Sequence, residues 1–246
     1  MLLKSPKAYL KARRFVLISK KLSTVIFDMD GVIFDSEKAC LDVWKELAGE
    51  LGLENIEDVF KSCIGTTSAM CFRILTEAYG GKFDARAFQS AASERFQEKY
   101  SGGRLPIMPG VKEILAFLKN NGIRIGIASS TGEATVRREI AEAGLAGYFE
   151  TITCGDMLRK SKPEPDIYLL ACRNMGVVPE ETVAVEDSFN GIRSAWSAGL
   201  IPVMVPDLIP ADGEMYEKAE AVVTDLFEAK LWIEQRINRQ NREDGK

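Results

Sequence analysis

Residues 24–32 read TVIFDMDGV. Positions 25–27 form a short apolar run of β-branched and aromatic residues, which predicts a buried strand. The strand ends in two carboxylates, Asp28 and Asp30, followed by a glycine that permits a sharp turn. Ligands of open α/β sheets bind beyond the carboxyl ends of the strands, so we expect both side chains at one strand tip, on the same side.

Two carboxylates this close repel each other, which raises one pKa or recruits a cation. Mg²⁺ suits such a site, because it binds oxygen ligands and shares its coordination shell with substrate phosphate. A strand followed by an ordinary turn explains the same stretch, since aspartate and glycine are common turn residues. The stretch by itself leaves both interpretations open.

The composition limits the class of protein. The 246 residues are 46% hydrophobic and 28% charged, which suffices for one large domain or a domain with a smaller insertion. A net charge of −4 and a pI of about 5.2 do not indicate nucleic acid or an anionic membrane as partner, so we expect a small-molecule substrate. No apolar run approaches the roughly 20 residues that span a bilayer.

Cysteine and histidine usage narrows the chemistry. The five cysteines form no C-x-x-C pair, which favours reduced thiols in the cytoplasm. The chain has no histidine, which excludes Ser-His and Cys-His nucleophile pairs and histidine metal sites. Catalysis must therefore rest on carboxylates, lysines, hydroxyls or a metal.

The chain changes pattern near residue 105. Before it, helical patterns dominate, at 36–51, 55–63, 68–79 and 84–100. After it, helices and strands alternate, which predicts an α/β fold with a mainly parallel sheet and a helical insertion after the first strand. The helices are expected at 110–120, 133–143, 165–175, 191–198 and from about 225 to 237, and the strands at 123–128, 149–154, 183–185, 201–205 and 221–223.

Polar residues follow three further predicted strands. Residues 129–132 read SSTG and precede a helix whose N-terminus favours an anion. Lys162 stands ahead of the next helix, where its ammonium can neutralise a phosphate or the Asp28 carboxylate. Glu186 and Asp187 form a second acidic pair of the type that binds Mg²⁺. Helix caps and a surface lysine explain each segment separately, but the agreement of all four strand ends favours an active site.

The motif DMDGV, followed in order by S, KP and ED at the later strand ends, resembles the haloacid dehalogenase superfamily over about residues 23–227. The resemblance implies a Rossmann-like parallel-sheet core at 23–35 and 106–237. The helical insertion at 36–105 resembles the cap domain of the β-phosphoglucomutase-like and phosphoglycolate-phosphatase-like branch.

The resemblance also implies a role for each motif residue. Asp28 would attack phosphorus and form an aspartyl-phosphate, and Asp30 would act as general acid and then as general base. The implied phosphate-binding residues are Ser129, Ser130 and Lys162. The implied Mg²⁺ ligands are Asp28, the backbone carbonyl of Asp30, Asp187 and, directly or through water, Glu186.

We therefore expect a Mg²⁺-dependent phosphatase of a small phosphomonoester, such as a sugar phosphate. A β-phosphoglucomutase-type mutase is the alternative, although such mutases carry a histidine and an arginine where this chain has Cys40 and Ser68. Arg73 lies close enough in sequence to replace that arginine. A catalytically silent binding or regulatory protein on the same fold is an alternative from another class. The presence of every motif residue argues against it.

Substrate selection is expected to lie in the cap. The hypothesised contacts are Asp35, Glu37, Lys38, Trp44, Thr66 and Thr67. Turn acids and a core aromatic are the alternative explanations for these residues. Asn190 and Arg193 follow the second acidic pair, and a solvated helix face is the interpretation that we favour for them.

The two ends of the chain are expected to lie outside the core. Residues 1–22 form a basic extension, explained by an early translation start or by a targeting or surface-anchoring peptide. Residues 238–246 form a polar C-terminal tail. We expect a cytoplasmic monomer whose partner is a small phosphorylated metabolite, without nucleic acid and without a membrane span.

Overall fold

A computed structural model describes residues 21–66, 68–81 and 83–244. Within these ranges, six strands form one sheet in the order β3-β2-β1-β4-β5-β6, and every neighbouring pair is parallel. The strands are β1 Thr24–Phe27, β2 Arg124–Ser129, β3 Thr151–Cys154, β4 Thr182–Glu186, β5 Ile201–Met204 and β6 Ala221–Val222. The predicted α/β class with a parallel sheet is confirmed.

The sheet is covered on both faces, because its strands are apolar on both sides. Val25 and Phe27 point into one buried cluster, and Ile26 between them points into another, as alternation along a strand requires. The first seven helices are α1 Ser36–Leu51, α2 Ile56–Cys63, α3 Ser68–Tyr79, α4 Ala85–Tyr100, α5 Val111–Asn120, α6 Glu133–Glu142 and α7 Asp166–Met175. The others are α8 Phe189–Ser197, α9 Gly213–Lys218 and α10 Leu226–Asp244.

The four helices α1 to α4 follow β1 and build a hydrophobic core of their own. At its centre the Trp44 ring packs edge-on against Phe60 and Phe88, with centroid distances of 5.0 and 5.1 Å. Edge-to-face geometry is favourable for aromatic pairs, and each buried ring removes a large apolar area from water. These aromatic residues thus pack the helices of the insertion around a hydrophobic cluster distinct from the clusters on the two faces of the sheet.

The C-terminal end differs from the prediction. The expected polar tail at 238–246 is wrong at its start, because α10 continues to Asp244. Gln240 is buried, and its side-chain oxygen accepts a 3.1 Å hydrogen bond from the backbone of Leu22. A polar residue can be buried at low cost when it has a hydrogen-bond partner. The polar composition of residues 238–246 was therefore compatible with a packed helix as well as with a tail.

One helix was not predicted, and most of the predicted basic extension cannot be compared with the structure. The short helix α9 was not expected, although Asp212 caps it by accepting a 2.9 Å hydrogen bond from the backbone of Met215. Residues 1–20 of the predicted basic extension are not among the described residues. Within the described ranges, no helix is both long and apolar enough to cross a lipid bilayer.

Candidate active site

The order of the strands brings the predicted polar residues together. Strand β1 lies in the middle of the sheet, with β2 on one side and β4 on the other. The backbone N–H of Asp28 donates a 2.9 Å hydrogen bond to the carbonyl of Val185, which continues the ladder one residue beyond the strand. The carboxyl ends of three adjacent strands thus meet at one edge.

Lys162 reaches this edge from the loop after β3. Its ammonium lies 2.6 Å from Oδ1 of Asp28, 2.6 Å from Oε1 of Glu186 and 3.0 Å from the carbonyl oxygen of Ala128. Only 7% of its side chain is exposed. Burial by itself would lower the pKa of Lys162, but the two carboxylates outweigh that effect and raise it. Lys162 is therefore a permanent cation at the centre of the site.

One buried cation does not balance three buried carboxylates. Burial raises the pKa of Asp28 to about 7 against the opposing effect of Lys162. Burial, together with the charges of Glu186 and Asp28, also raises the pKa of Asp187 well above its usual value. Carboxyl oxygens of these three acidic residues lie within 4.8 Å of one another. The surplus negative charge is the condition under which a site binds a cation.

The residues present fit Mg²⁺. All donors are hard oxygens, which this ion prefers. Gly31 leaves room for the carboxylate of Asp187, because a Cβ atom built there would lie 2.3 Å from Oδ2 of that residue. Gly31 also has a φ of +73°, a conformation that other residues adopt at a cost.

Three side chains donate hydrogen bonds to the Glu186 carboxylate. Lys162 and the Tyr168 hydroxyl both donate to Oε1, the latter at 2.7 Å, and the Ser188 hydroxyl donates to Oε2 at 3.1 Å. Burial, followed by the charge of Glu186, raises the pKa of Tyr168, so its phenol remains a donor. Gly191 packs directly behind this carboxylate, since a Cβ atom at that position would lie 1.9 Å from the carboxyl carbon.

Asp30 lies beyond the strand tip and is partly exposed. The Ser36 hydroxyl donates to its Oδ1 and the Thr131 hydroxyl donates to its Oδ2, both at 2.8 Å. These two donors fix the orientation of the carboxylate and leave it accessible to a ligand. Thr131 belongs to the SSTG segment, but the sequence analysis assigned it no role.

The two predicted phosphate-binding serines have different environments. Ser129 is buried at the end of β2, and its Oγ accepts a 3.1 Å hydrogen bond from the backbone of Thr131. Its own hydroxyl hydrogen therefore remains for donation. Ser130 is exposed, and its backbone packs against Gly155, where a Cβ atom would lie 2.4 Å from the Ser130 carbonyl oxygen. Both residues precede the N-terminus of α6.

Two cavities adjoin the site on the side of the insertion. The larger one, of about 540 Å³, reaches from Asp30 to the core aromatics of the insertion, including Trp44. The smaller one, of about 260 Å³, lies beside Asp187. Glu37 and Thr66 line both of them.

The structure does not place the other hypothesised substrate-contacting residues of the insertion at the cavities. Lys38 is exposed and lines neither cavity. The backbone of Asp35 donates to the carbonyl of Pro106 at 2.9 Å, which ties the start of α1 to the end of the insertion. Thr67 is not among the described residues. Arg73 is 69% exposed and lies 3.5 Å from Glu77, so it does not face the cavities.

The solvated helix face that we favoured for Asn190 and Arg193 is wrong. Both residues line the smaller cavity, and the Asn190 amide donates to the carbonyl of Gly65 in the insertion. Arg193 pairs with Glu214 at 2.9 Å through Nε. Contacts of this kind depend on how the insertion sits over the sheet, which a helical pattern does not reveal.

Asp207 also belongs to the site, although it was not predicted. It lies after β5, and its carboxylate oxygen is within 4.8 Å of a carboxylate oxygen from each of Glu37 and Asp187. Its Oδ2 atom is buried without a hydrogen-bond partner among the described residues. Ligands of such sheets bind beyond the carboxyl ends of the strands, and β5 lies beside β4 in the sheet. The residues that follow β5 could therefore have been included among the candidates.

Known phosphatases are similar in sequence to this chain. A phosphorylated carbohydrates phosphatase of Thermotoga maritima is 34% identical over 179 residues, which are 73% of this chain and 82% of the relative. A fructose-1-phosphate phosphatase of Escherichia coli is 27% identical over 186 residues, 76% of this chain and 97% of the relative.

A solved structure extends the similarity to the whole fold. The crystal structure of CbbY from Rhodobacter sphaeroides in complex with phosphate has a TM-score of 0.67 and 27% identity, and the match covers 84% of this chain and 96% of that one. Residues 25–205 match the family described as haloacid dehalogenase-like hydrolase. The resemblance seen in the motifs is confirmed, and the chain belongs to the haloacid dehalogenase-like hydrolases.

Proposed function

We propose that this phosphoric monoester hydrolase is a Mg²⁺-dependent phosphatase of phosphorylated carbohydrates and similar small monoesters, and that it forms an aspartyl-phosphate. One observation carries the proposal. The Asp28 carboxylate lies 2.6 Å from a buried lysine, and the carboxylate of Asp30, two residues later, is held by two hydroxyls. This arrangement supports Asp28 as the nucleophile and Asp30 as the proton donor.

In the first step Asp28 attacks phosphorus through a carboxylate oxygen. The bond between phosphorus and the substrate oxygen breaks, and the leaving alkoxide takes a proton from Asp30. In the second step Asp30 takes a proton from water, and the hydroxide attacks the aspartyl-phosphate. Inorganic phosphate leaves and both carboxylates return to their starting states.

Lys162 and Ser129 supply fixed positive charge and a hydroxyl donor at the strand ends, where negative charge on the phosphoryl oxygens is stabilised. Asp28, Asp187 and Glu186 would hold the metal. Mg²⁺, when bound, contributes the charge that brings the anionic phosphate beside these carboxylates. Tyr168 and Ser188 orient Glu186, so that the acidic cluster keeps one geometry.

We further propose that residues 36–105 act as a cap over the site. The amide of Asn190 on α8 donates to Gly65 in the insertion, and both cavities lie where insertion and core meet. A cap of this kind excludes bulk water from the intermediate and contacts the leaving group.

The experiment that tests the activity is phosphate release from a panel of phosphomonoesters, with Mg²⁺ and with EDTA. The panel includes fructose 1-phosphate, other sugar phosphates and β-glucose 1-phosphate, whose isomerisation is followed in parallel. Phosphate release that requires Mg²⁺ is the expected result. Isomerisation of glucose 1-phosphate without phosphate release would instead establish a mutase. The absence of any reaction with every compound would favour a binding protein.

The covalent mechanism has its own test. We expect Asp28→Asn to lower turnover by at least about 10⁴-fold, because the amide is not a nucleophile. Asp42→Asn, at an exposed aspartate on α1, is the control and keeps full activity. Mass spectrometry of acid-quenched wild type should detect a phosphorylated peptide that contains residue 28. Undiminished activity of Asp28→Asn would remove the covalent intermediate.

A further inference from the structure

The larger cavity is the space into which the leaving group of a substrate at Asp28 extends, since Asp30 lies at its mouth. Its far wall is apolar and includes Trp44, Phe60 and Phe96. Its acidic groups near the reaction centre are the carboxyl groups of Asp30 and Glu37. No lysine or arginine is found among the described residues that line it.

The smaller cavity adds further acidic side chains. Asp187 and Asp207 line it together with Glu37. Its one cationic lining residue among those described is Arg193, whose guanidinium already binds Glu214 and, at 3.1 Å, the side-chain oxygen of Asn190. Among the described residues that line the two cavities, none therefore offers a ligand a cation that is free of an acidic partner.

Two of the acidic side chains that line these cavities have raised pKa values. Burial, the charge of Asp207 and that of Asp30 raise the pKa of Glu37 to about 8. Burial and the charge of Asp35 raise the pKa of Asp207 to about 6. Among the described residues, the charged or ionisable groups that line the two cavities are acidic except for Arg193, so a second anion there would be opposed by desolvation and by like charge.

Glu37 is the polar group best placed to meet an uncharged ligand. It lines both cavities, and within the part of the chain that the structure describes it forms no hydrogen bond or ion pair. Its carboxyl group can accept a hydrogen bond from a hydroxyl in either protonation state. The aromatic wall opposite suits the apolar face of a carbon skeleton.

We propose that the larger cavity binds the leaving group of a singly phosphorylated polyol, that Glu37 contacts its hydroxyls, and that substrates with a second phosphate are excluded. The inference rests on the proposed phosphatase activity. Glu37 is then a residue that determines substrate specificity. A second phosphate is excluded because no cation among the described lining residues is available to pair with it, so the enzyme discriminates through an unfavourable contact.

The first test compares matched substrates at a fixed concentration of free Mg²⁺. Fructose 1-phosphate is paired with fructose 1,6-bisphosphate, and glucose 1-phosphate with glucose 1,6-bisphosphate. We expect kcat/KM to be at least about 100-fold higher for the monophosphate of the preferred pair, since an unpaired like charge is strongly unfavourable. Equal values, or a preference for the bisphosphate, would overturn the inference and leave the phosphatase standing.

The second test supplies the missing cation. Ser93 is exposed and lines the larger cavity, so Ser93→Arg should fold normally and place a guanidinium beside the leaving group. We expect the preference for monophosphate to fall by about 10-fold, through a lower KM for the bisphosphate. Ser90→Arg, at an exposed position of α4 that lines neither cavity, is the matched control. An unchanged preference in Ser93→Arg contradicts the exclusion by charge.

The third test isolates Glu37. Glu37→Leu should raise KM for the preferred sugar phosphate by about 10-fold, because a hydroxyl loses its partner. It should leave KM unchanged for p-nitrophenyl phosphate, whose leaving group has no hydroxyl. Equal effects on both substrates would show a structural role and reject Glu37 as the specificity residue. If no monoester releases phosphate with Mg²⁺ present, the proposed function fails, and this inference fails with it.

Discussion

The Thr131 hydroxyl donates a 2.8 Å hydrogen bond to Oδ2 of Asp30, although 101 residues separate the two in the chain. The contact exists because β1 and β2 are neighbours in the sheet and end at the same edge. With Ser36 on the other carboxylate oxygen, Thr131 sets the orientation in which Asp30 meets a ligand.

Thr131→Val should therefore lower kcat by about 10-fold with little change in KM, since Asp30 loses a charge-assisted hydrogen bond but remains in place. Thr131→Ser, which restores the hydroxyl, should recover activity. A drop in kcat that serine does not rescue would contradict the positioning role.

Lys162→Met removes the cation between two buried carboxylates. Asp28 and Glu186 then face each other without compensation, and we expect the metal-free protein to lose about 3–5 kcal/mol of unfolding free energy. Urea unfolding in EDTA measures this loss. Lys160→Met is the control, because that side chain is 63% exposed and its ion pair with Glu164 spans 3.6 Å. Equal stability of the two variants would contradict the central role of Lys162.

Gly191→Ala tests the packing behind Glu186. The added methyl group would lie 1.9 Å from the carboxyl carbon, so either α8 or the acidic side chain must move. We expect a loss of about 1–3 kcal/mol in stability, together with weaker Mg²⁺ binding by calorimetry. Gly213→Ala, where no atom lies within 4 Å of the added carbon, should leave both quantities unchanged.

Glu37 predicts a pH dependence of stability in the metal-free protein. Its pKa is raised from 4.5 to about 8, mainly by burial, so the folded state keeps a proton that the unfolded state releases. The contribution of Glu37 to stability is therefore complete below about pH 4.5 and is lost as the pH rises through about 8. Glu37→Gln removes this dependence.

The melting temperature of Glu37→Gln relative to wild type should therefore increase between about pH 5 and about pH 9 in EDTA. Glu113→Gln, at an exposed glutamate of α5, should show no such trend. A difference between Glu37→Gln and wild type that does not vary with pH would show that the carboxyl group is not buried in the folded state.

Local patterns predicted most of the secondary structure. The apolar run at 25–27, the period of the helices and the capping residues act over a few neighbours, so they can be recognised in sequence. These local patterns predicted the wrong C-terminal boundary for a helix that has a contact far away in the chain. Helix α10 runs to Asp244 because Gln240 finds a backbone donor at Leu22, 218 residues away.

The sequence by itself determined the strand tips and the chemical groups that follow them, because a buried strand ending in acid, hydroxyl or lysine is a local signal. Only the tertiary structure decided which of these groups meet. It joined Thr131 to Asp30, placed Asp207 beside Glu37, and turned Asn190 toward the insertion. Such contacts depend on the order of the strands and on the position of the helical insertion, and neither is encoded by the residues that take part in them.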